Sequence, residues 1–300
     1  MKKTKSWIGH VSCFTAYFIF GINIIVGKDL TKAGIVSPLT SFTLRAAGAT
    51  LLFWILGAML PAEKVDRRDL PKIFIASMLG LFLTQVSFLV GITRCTPMNW
   101  AILSVLSPIF TMFIAAVAVK EPITFKKAAG VAISFTGVLV LILNSTHSGG
   151  AERTTVGGVL LSFLNGISFA LYLGIFRPLI QKYSVVTFMK WMFLFSLAAS
   201  LPFTAKEIVT ANYGDISSMY WWGLSFIIIC STFIAYFLIP LGQKHIRPTA
   251  VSLYSYLQPI IASSISILAG IDALTPMKIA SAAAVVVGVI IVNKSRARQD

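Results

Sequence analysis

Apolar residues fall along this chain in runs of 17 to 23, separated by short breaks of charge, Pro or Gly. A helix needs about 20 such residues to cross the hydrocarbon of a bilayer, and fewer where neighbouring helices shelter it. The pattern predicts ten helical spans, at 7–27, 38–60, 72–92, 97–119, 127–143, 156–176, 185–204, 218–240, 248–269 and 276–293. Only 61–71, 144–155 and 205–217 are long enough to be called loops, and none could hold a soluble domain. The expected fold is all-α and integral to a membrane, and the function has to reside in the membrane part.

Composition narrows the class further. Hydrophobic residues make up 57% of the 300 and charged residues 12%, with mean hydropathy +0.85, beyond the usage of water-soluble domains. All ten acidic residues lie between or beside apolar runs. The net charge of +15 raises nucleic acid as a partner, but the basic residues are spread thinly and form no dense face. They record orientation instead: 17 Lys and Arg fall in the termini and alternate loops on one side and 6 on the other, with Arg45 and Lys190 inside spans. Positive charge is retained on the cytoplasmic side, so both termini are expected there. The run from Trp7 to Gly27 has the length of a span and no small-residue cleavage site, so it reads as the first helix and not a signal peptide. Cys13, Cys95 and Cys230 have no metal-ligand spacing, the three histidines are scattered, and no nucleophile elbow or phosphate loop is present. No enzyme chemistry, cofactor or metal is expected.

The chain repeats itself. Shifted by 151 residues, 80–143 superposes on 231–294 with 15 identities in 64 positions, among them Pro97 on Pro248, Pro108 on Pro259, Thr124 on Thr275 and Gly137 on Gly288. Nearer the amino ends the register drifts, and a shift of 145 sets Arg45 on Lys190. Two units of five spans result, 7–143 and 156–293. Because five is odd, the second enters the membrane from the opposite side, the inverted repeat of many secondary transporters. Exchange of conformations between such halves opens a central site to each side in turn.

Polar residues within spans are the candidate site. Pro108 and Pro259 each remove a backbone donor in mid-span and are expected to kink the fourth and ninth helices, beside Ser104, Ser107, Tyr254 and Gln258. Asn23, Gln85, Asn99, Asn165 and Gln258 need partners where water is scarce, either as interhelical glue or as cavity lining. Gln85 with Tyr236, and Ser107 with Gln258, are equivalent under the 151 shift. Arg45 and Lys190 could snorkel to an interface, or face the cavity and attract a carboxylate or phosphate. Glu121 and Asp272 follow the fourth and ninth spans on opposite faces, as interfacial caps or gates; structural capping is favoured over proton coupling because neither is deep. Small residues recur every fourth position in the sixth and tenth spans, a packing feature compatible with a monomer or a homodimer.

Several of these residues carry a resemblance. Thr96-Pro97 through Pro108, Lys120-Glu121-Pro122-Ile123-Thr124 and Gly137-Val138 resemble the end of an EamA domain of the drug/metabolite transporter superfamily. A second copy runs through Arg247-Pro248-Thr249-Ala250, Leu257-Gln258-Pro259 and Gly288-Val289, and Phe20-Gly21-Ile22-Asn23 with Leu44-Arg45 is similar to the family's first two helices. Ile271-Asp272 stands where the family usually has Gly-Glu, and Phe20 where it has Trp. The resemblance implies a ten-helix carrier of small metabolites such as amino acids, often an exporter, in a bacterial inner membrane. A passive pore or a transporter-like sensor is the alternative.

Overall fold

A computed structural model describes residues 2–32, 36–94, 103–143, 155–211, 218–268 and 274–295. Among these every regular element is helical and no strand occurs. The long helices are α1 (Lys2–Lys32), α2 (Pro38–Met59), α3 (Leu70–Gly91), α4 (Ser107–Ala118), α5 (Phe125–Leu143), α6 (Val156–Ile175), α7 (Val185–Thr210), α8 (Tyr220–His245), α9 (248–268) and α10 (Pro276–Lys294), with a short helix Arg177–Lys182 between α6 and α7. Six of them, α2, α3, α6, α7, α8 and α10, are long and apolar enough to cross a membrane. Large apolar side chains such as Trp7, Phe113, Val117, Phe125 and Phe203 lie on the outside, as lipid permits and water does not.

Local chemistry sets the helix starts. Ser37, Thr155, Ser184 and Thr275 each accept a hydrogen bond from a backbone N–H in the first turn of α2, α6, α7 and α10, and Thr124 does the same for Lys127 at the start of α5. Thr124 and Thr275, aligned by the repeat, thus cap corresponding helices. Pro38 and Pro276 occupy first-turn positions where no N–H is needed.

Two helices depart from α geometry at corresponding places. In α3 the stretch Met78–Leu83 is a π-helix, and in α8 so is Ile227–Ile234. Moved by 151 residues the first falls on 229–234, inside the second. Both widened turns are held by a threonine reaching five residues back, Thr84 Oγ1 to Leu79 O at 2.7 Å and Thr232 Oγ1 to Ile227 O at 2.8 Å. The fourth and ninth helices break just before their prolines. A turn at 105–106 precedes Ser107-Pro108, and α9 consists of Pro248–Leu253, a 3-10 turn Tyr254–Tyr256 and Leu257–Leu268 with Pro259 in its first turn.

Packing crosses the two halves reciprocally. α1 lies against α8 and the second part of α9, while α6 lies against α3 and α4. α2 pairs with α7, where Thr204 Oγ1 donates to Thr43 Oγ1 at 3.0 Å and Phe53 stacks on Phe193. α5 crosses α10 at glycines: a Cβ on Gly137 would lie 2.8 Å from Ser281 O, and one on Gly130 would lie 2.7 Å from Gly288 O. Gly130 and Ser281 are equivalent positions, as are Gly137 and Gly288, so the two contacts are images of each other. Close backbone approach of this kind is how membrane helices associate without a hydrophobic drive.

Candidate functional site

Inside the bundle, polar side chains from both halves meet just beyond the two π segments. Gln85 of α3 donates through Nε2 to the Tyr236 hydroxyl of α8. Asn165 of α6 donates from Nδ2 to Thr84 O at 2.6 Å, satisfying a carbonyl at the end of the π segment in α3. Arg45 of α2 donates from Nε to Thr232 Oγ1 at 3.0 Å and is only 4% exposed. Its guanidinium and the Tyr236 phenol are within electrostatic reach of each other. Aromatic rings wall the group: Phe20 and Phe193 stand edge-on to Tyr236 with centroids 5.5 and 5.8 Å away, and Tyr17 stands edge-on to Phe20. The ring of Tyr172 covers Gly80, where a Cβ would be 2.6 Å from it. Such an arrangement can bind a polar group against aromatic surface; it offers no nucleophile paired with a base. Among the described residues no group of His, Cys, Asp or Glu could hold a metal ion.

The other sequence candidates fall in different places. Asn23 is buried one turn beyond Phe20, and its Oδ1 has no hydrogen-bond partner among the described residues. Ser107 and Gln258 are half-buried on α4 and α9, and Ser104, also half-buried, precedes the turn before α4, so the three flank the broken turns. Asn99 and Asp272 lie outside the described residues. Lys190 is not in the cluster: its Nζ sits over the Trp54 ring at 5.2 Å, nine residues and about 14 Å along α2 from Arg45. Tyr254 is also elsewhere, receiving or donating a hydrogen bond at 2.9 Å with His10 Nδ1.

That second place is a polar cavity of about 220 Å³ lined by Ser6, His10, Glu121, Lys127, Arg247 and Asn293, among others. Glu121 forms an ion pair with Lys127 at 2.9 Å, with side chains 2% and 3% exposed, and accepts from Thr249 Oγ1 at 3.1 Å. It therefore joins the α4–α5 connection to the start of α9. Lys120, just before it, has φ 52°, the left-handed turn that brings Glu121 inward. At the ends of the helices Asp69 gathers Lys182 at 2.5 Å, Lys72 at 2.8 Å and the Tyr183 hydroxyl at 2.8 Å. Donors so placed hold the Asp69 carboxyl far below the ordinary carboxylate range and push Lys182 up to about 12. Glu207, on α7, accepts from the Ser37 N–H, from Ser37 Oγ at 2.6 Å and from Thr40 Oγ1 at 2.5 Å, tying the end of α7 to the start of α2.

Sequence reasoning passed over Thr232, Tyr17 and the two π segments. No spacing marks Thr232, because it lies in the π segment Ile227–Ile234, where the 3.6-residue register with Tyr236 is broken.

A bundle of apolar helices around a buried polar cluster, with no catalytic grouping among the described residues, is an arrangement that a membrane transport protein can use. The pattern of the EamA-like transporter family matches residues 7–143 and again 156–294, and the chain belongs to that family, within the drug/metabolite transporters. An uncharacterised transporter of Bacillus subtilis (strain 168), YyaM, is 25% identical over 271 residues, 87% of this chain and 86% of the relative. A probable terminal-alkyne amino-acid exporter of Streptantibioticus cattleyicolor is 25% identical over 60% of both chains. An S-adenosylmethionine uptake transporter of Rickettsia prowazekii (strain Madrid E) is 23% identical over 64% of this chain and 62% of its own. A solved crystal structure superposes with a TM-score of 0.76 over 97% of this chain and 96% of that one at 16% identity, a likeness of fold.

Proposed function

We propose that the chain is a secondary carrier, moving small metabolites such as amino acids outward across a bacterial inner membrane by alternating access. It works as ten helices in two inverted units, 7–143 and 156–293, with both termini cytoplasmic. The observation that carries this reading is that three residues touch their own equivalents. Gln85 meets Tyr236, Tyr256 Oη donates to Val105 O at 2.7 Å, and Ser134 Oγ donates to Val285 O at 3.1 Å, each pair 151 residues apart. Residues that meet their equivalents lie on the axis relating the two units, and in inverted-repeat carriers the solute site lies at the interface of the repeats. The matched π segments support the same placement, since such turns recur at functional sites. The solute then contacts Gln85, Tyr236, Arg45, Asn165 and Asn23, with Ser104, Ser107 and Gln258 reached through the breaks at Pro108 and Pro259. Glu121, and Asp272 on the opposite face, close the two ends.

The amino-acid class and the outward direction draw on the name of the Streptantibioticus relative, whereas the Rickettsia relative is named for uptake. Counterflow in proteoliposomes tests the whole reading. Vesicles loaded with unlabelled amino acids, nucleosides, sugars or organic cations are expected to take up the labelled solute of one class saturably and without ATP. Fast, weakly saturable flux instead would mean a pore, and no exchange by folded protein with any class would favour a sensor. Preloaded inside-out vesicles read the direction.

A further inference from the structure

Arg45 carries its charge a third of the way along α2, in the interior and not at an interface. Its side chain does not snorkel: Nε is held by Thr232 on α8. Because the Thr232 hydroxyl already donates to Ile227 O, its oxygen lone pair is what receives Arg45 Nε, and the widened turn of α8 thereby fixes the guanidinium plane. Arginine has five N–H donors in a planar fork. Here the Nη groups make no hydrogen bond to the described residues, and none of the described carboxylates forms an ion pair with them. Lys127, buried to a similar degree, is met by Glu121. The titratable neighbour of Arg45 is the Tyr236 phenol, which is neutral at physiological pH. A cation taken from water into a membrane interior needs an anion to offset its desolvation.

We propose that the solute brings that anion: Arg45 is the specificity-determining residue that receives a carboxylate or phosphate group, whose oxygens lie side by side on the two Nη groups. The inference rests on the carrier reading for what the site serves, and it restricts the solute to molecules with an oxyanion. Thr232 acts as a positioning residue, since it holds the fork before the anion arrives. Gln85 and Tyr236, hydrogen-bonded beside it, face the remainder of the solute.

The test is the thermal unfolding midpoint of the full chain in detergent. The panel sets each common amino acid against its amide and each of several sugar phosphates against the free sugar. At least one acid is expected to raise the midpoint where its amide or unphosphorylated counterpart does not, and Arg45→Gln is expected to abolish that difference. If no acid outperforms its counterpart, or if the preference survives in Arg45→Gln, the proposal is overturned. Should Arg45→Gln not fold, Thr232→Val keeps the charge and frees the fork. It is expected to weaken acid binding about tenfold, roughly the worth of one charge-assisted hydrogen bond, and unchanged acid binding in it also overturns the proposal. Counterflow on the same variants separates the two readings. An acid that stabilises the protein without exchanging leaves the Arg45 site standing and removes the carrier. Saturable exchange of neutral solutes, untouched by Arg45→Gln, does the reverse.

Discussion

Among single residues, the ion pair between Glu121 and Lys127 has the clearest energetic signature. Both side chains are buried, so deleting the carboxylate strands a cation. Glu121→Ala is expected to cost about 3 kcal/mol, the lower end of the range for a broken buried pair because a polar cavity adjoins it. The double variant Glu121→Leu with Lys127→Met is expected to recover most of that in unfolding by denaturant. Asp69 gives a pH signature of the opposite kind. Its folded value is depressed, so the stability it contributes is present above the ordinary carboxylate value near 4 and is lost as pH falls through the folded one. Lys182 is raised, so its part is complete below its ordinary value near 10.5 and is lost as pH rises through about 12. Thermal unfolding of Asp69→Asn against the parent should show a constant gap from about pH 5 to 9 that closes in acid. The equivalence of Gln85 and Tyr236 was legible from the repeat register, though not that the two meet, and Arg45 was legible as an intruder in an apolar run. Its tie to Thr232 was not, because a π turn carries extra residues and rotates all that follows onto a face that 3.6-residue spacing does not predict.

At the level of helices, what can be read in sequence is whatever leaves a compositional mark. Apolar runs mark the helices, and Thr124 and Thr275 mark two starts. The segments Met78–Leu83 and Ile227–Ile234 leave none, since their apolar side chains suit α and π turns equally and only tertiary packing chooses between them. The crossing of α5 and α10 makes a prediction at this scale. Gly137→Leu puts a side chain against the backbone of Ser281, which cannot rotate aside, and is expected to destabilise by about 1–3 kcal/mol. Thr136→Leu, one residue away on the exposed face, should lie within about 0.5 kcal/mol of the parent. Equal effects of the two in a denaturation series would contradict the close approach.

Across the whole molecule, hydropathy foretold an all-helical membrane protein and the motifs foretold its family, because lipid and repeat constrain every residue of the chain. The solute is less legible, since it is chosen by a few polar groups whose neighbours come from helices distant in sequence. The contacts between equivalent residues carry a consequence for movement. If the two units trade shapes, a contact between a residue and its own equivalent is carried onto itself, so it is a fulcrum that both states share. Ser134 with Val285, and Gln85 with Tyr236, are of that kind. Glu121 with Thr249, 128 residues apart, is not of that kind, so it is not carried onto itself. A short chemical link between cysteines placed at 134 and 285 should therefore leave counterflow running, whereas one between 121 and 249 should stop it. On the carrier reading the two units thus work as a seesaw, whose pivot is the set of residues that meet their own equivalents and whose arms are the contacts that do not.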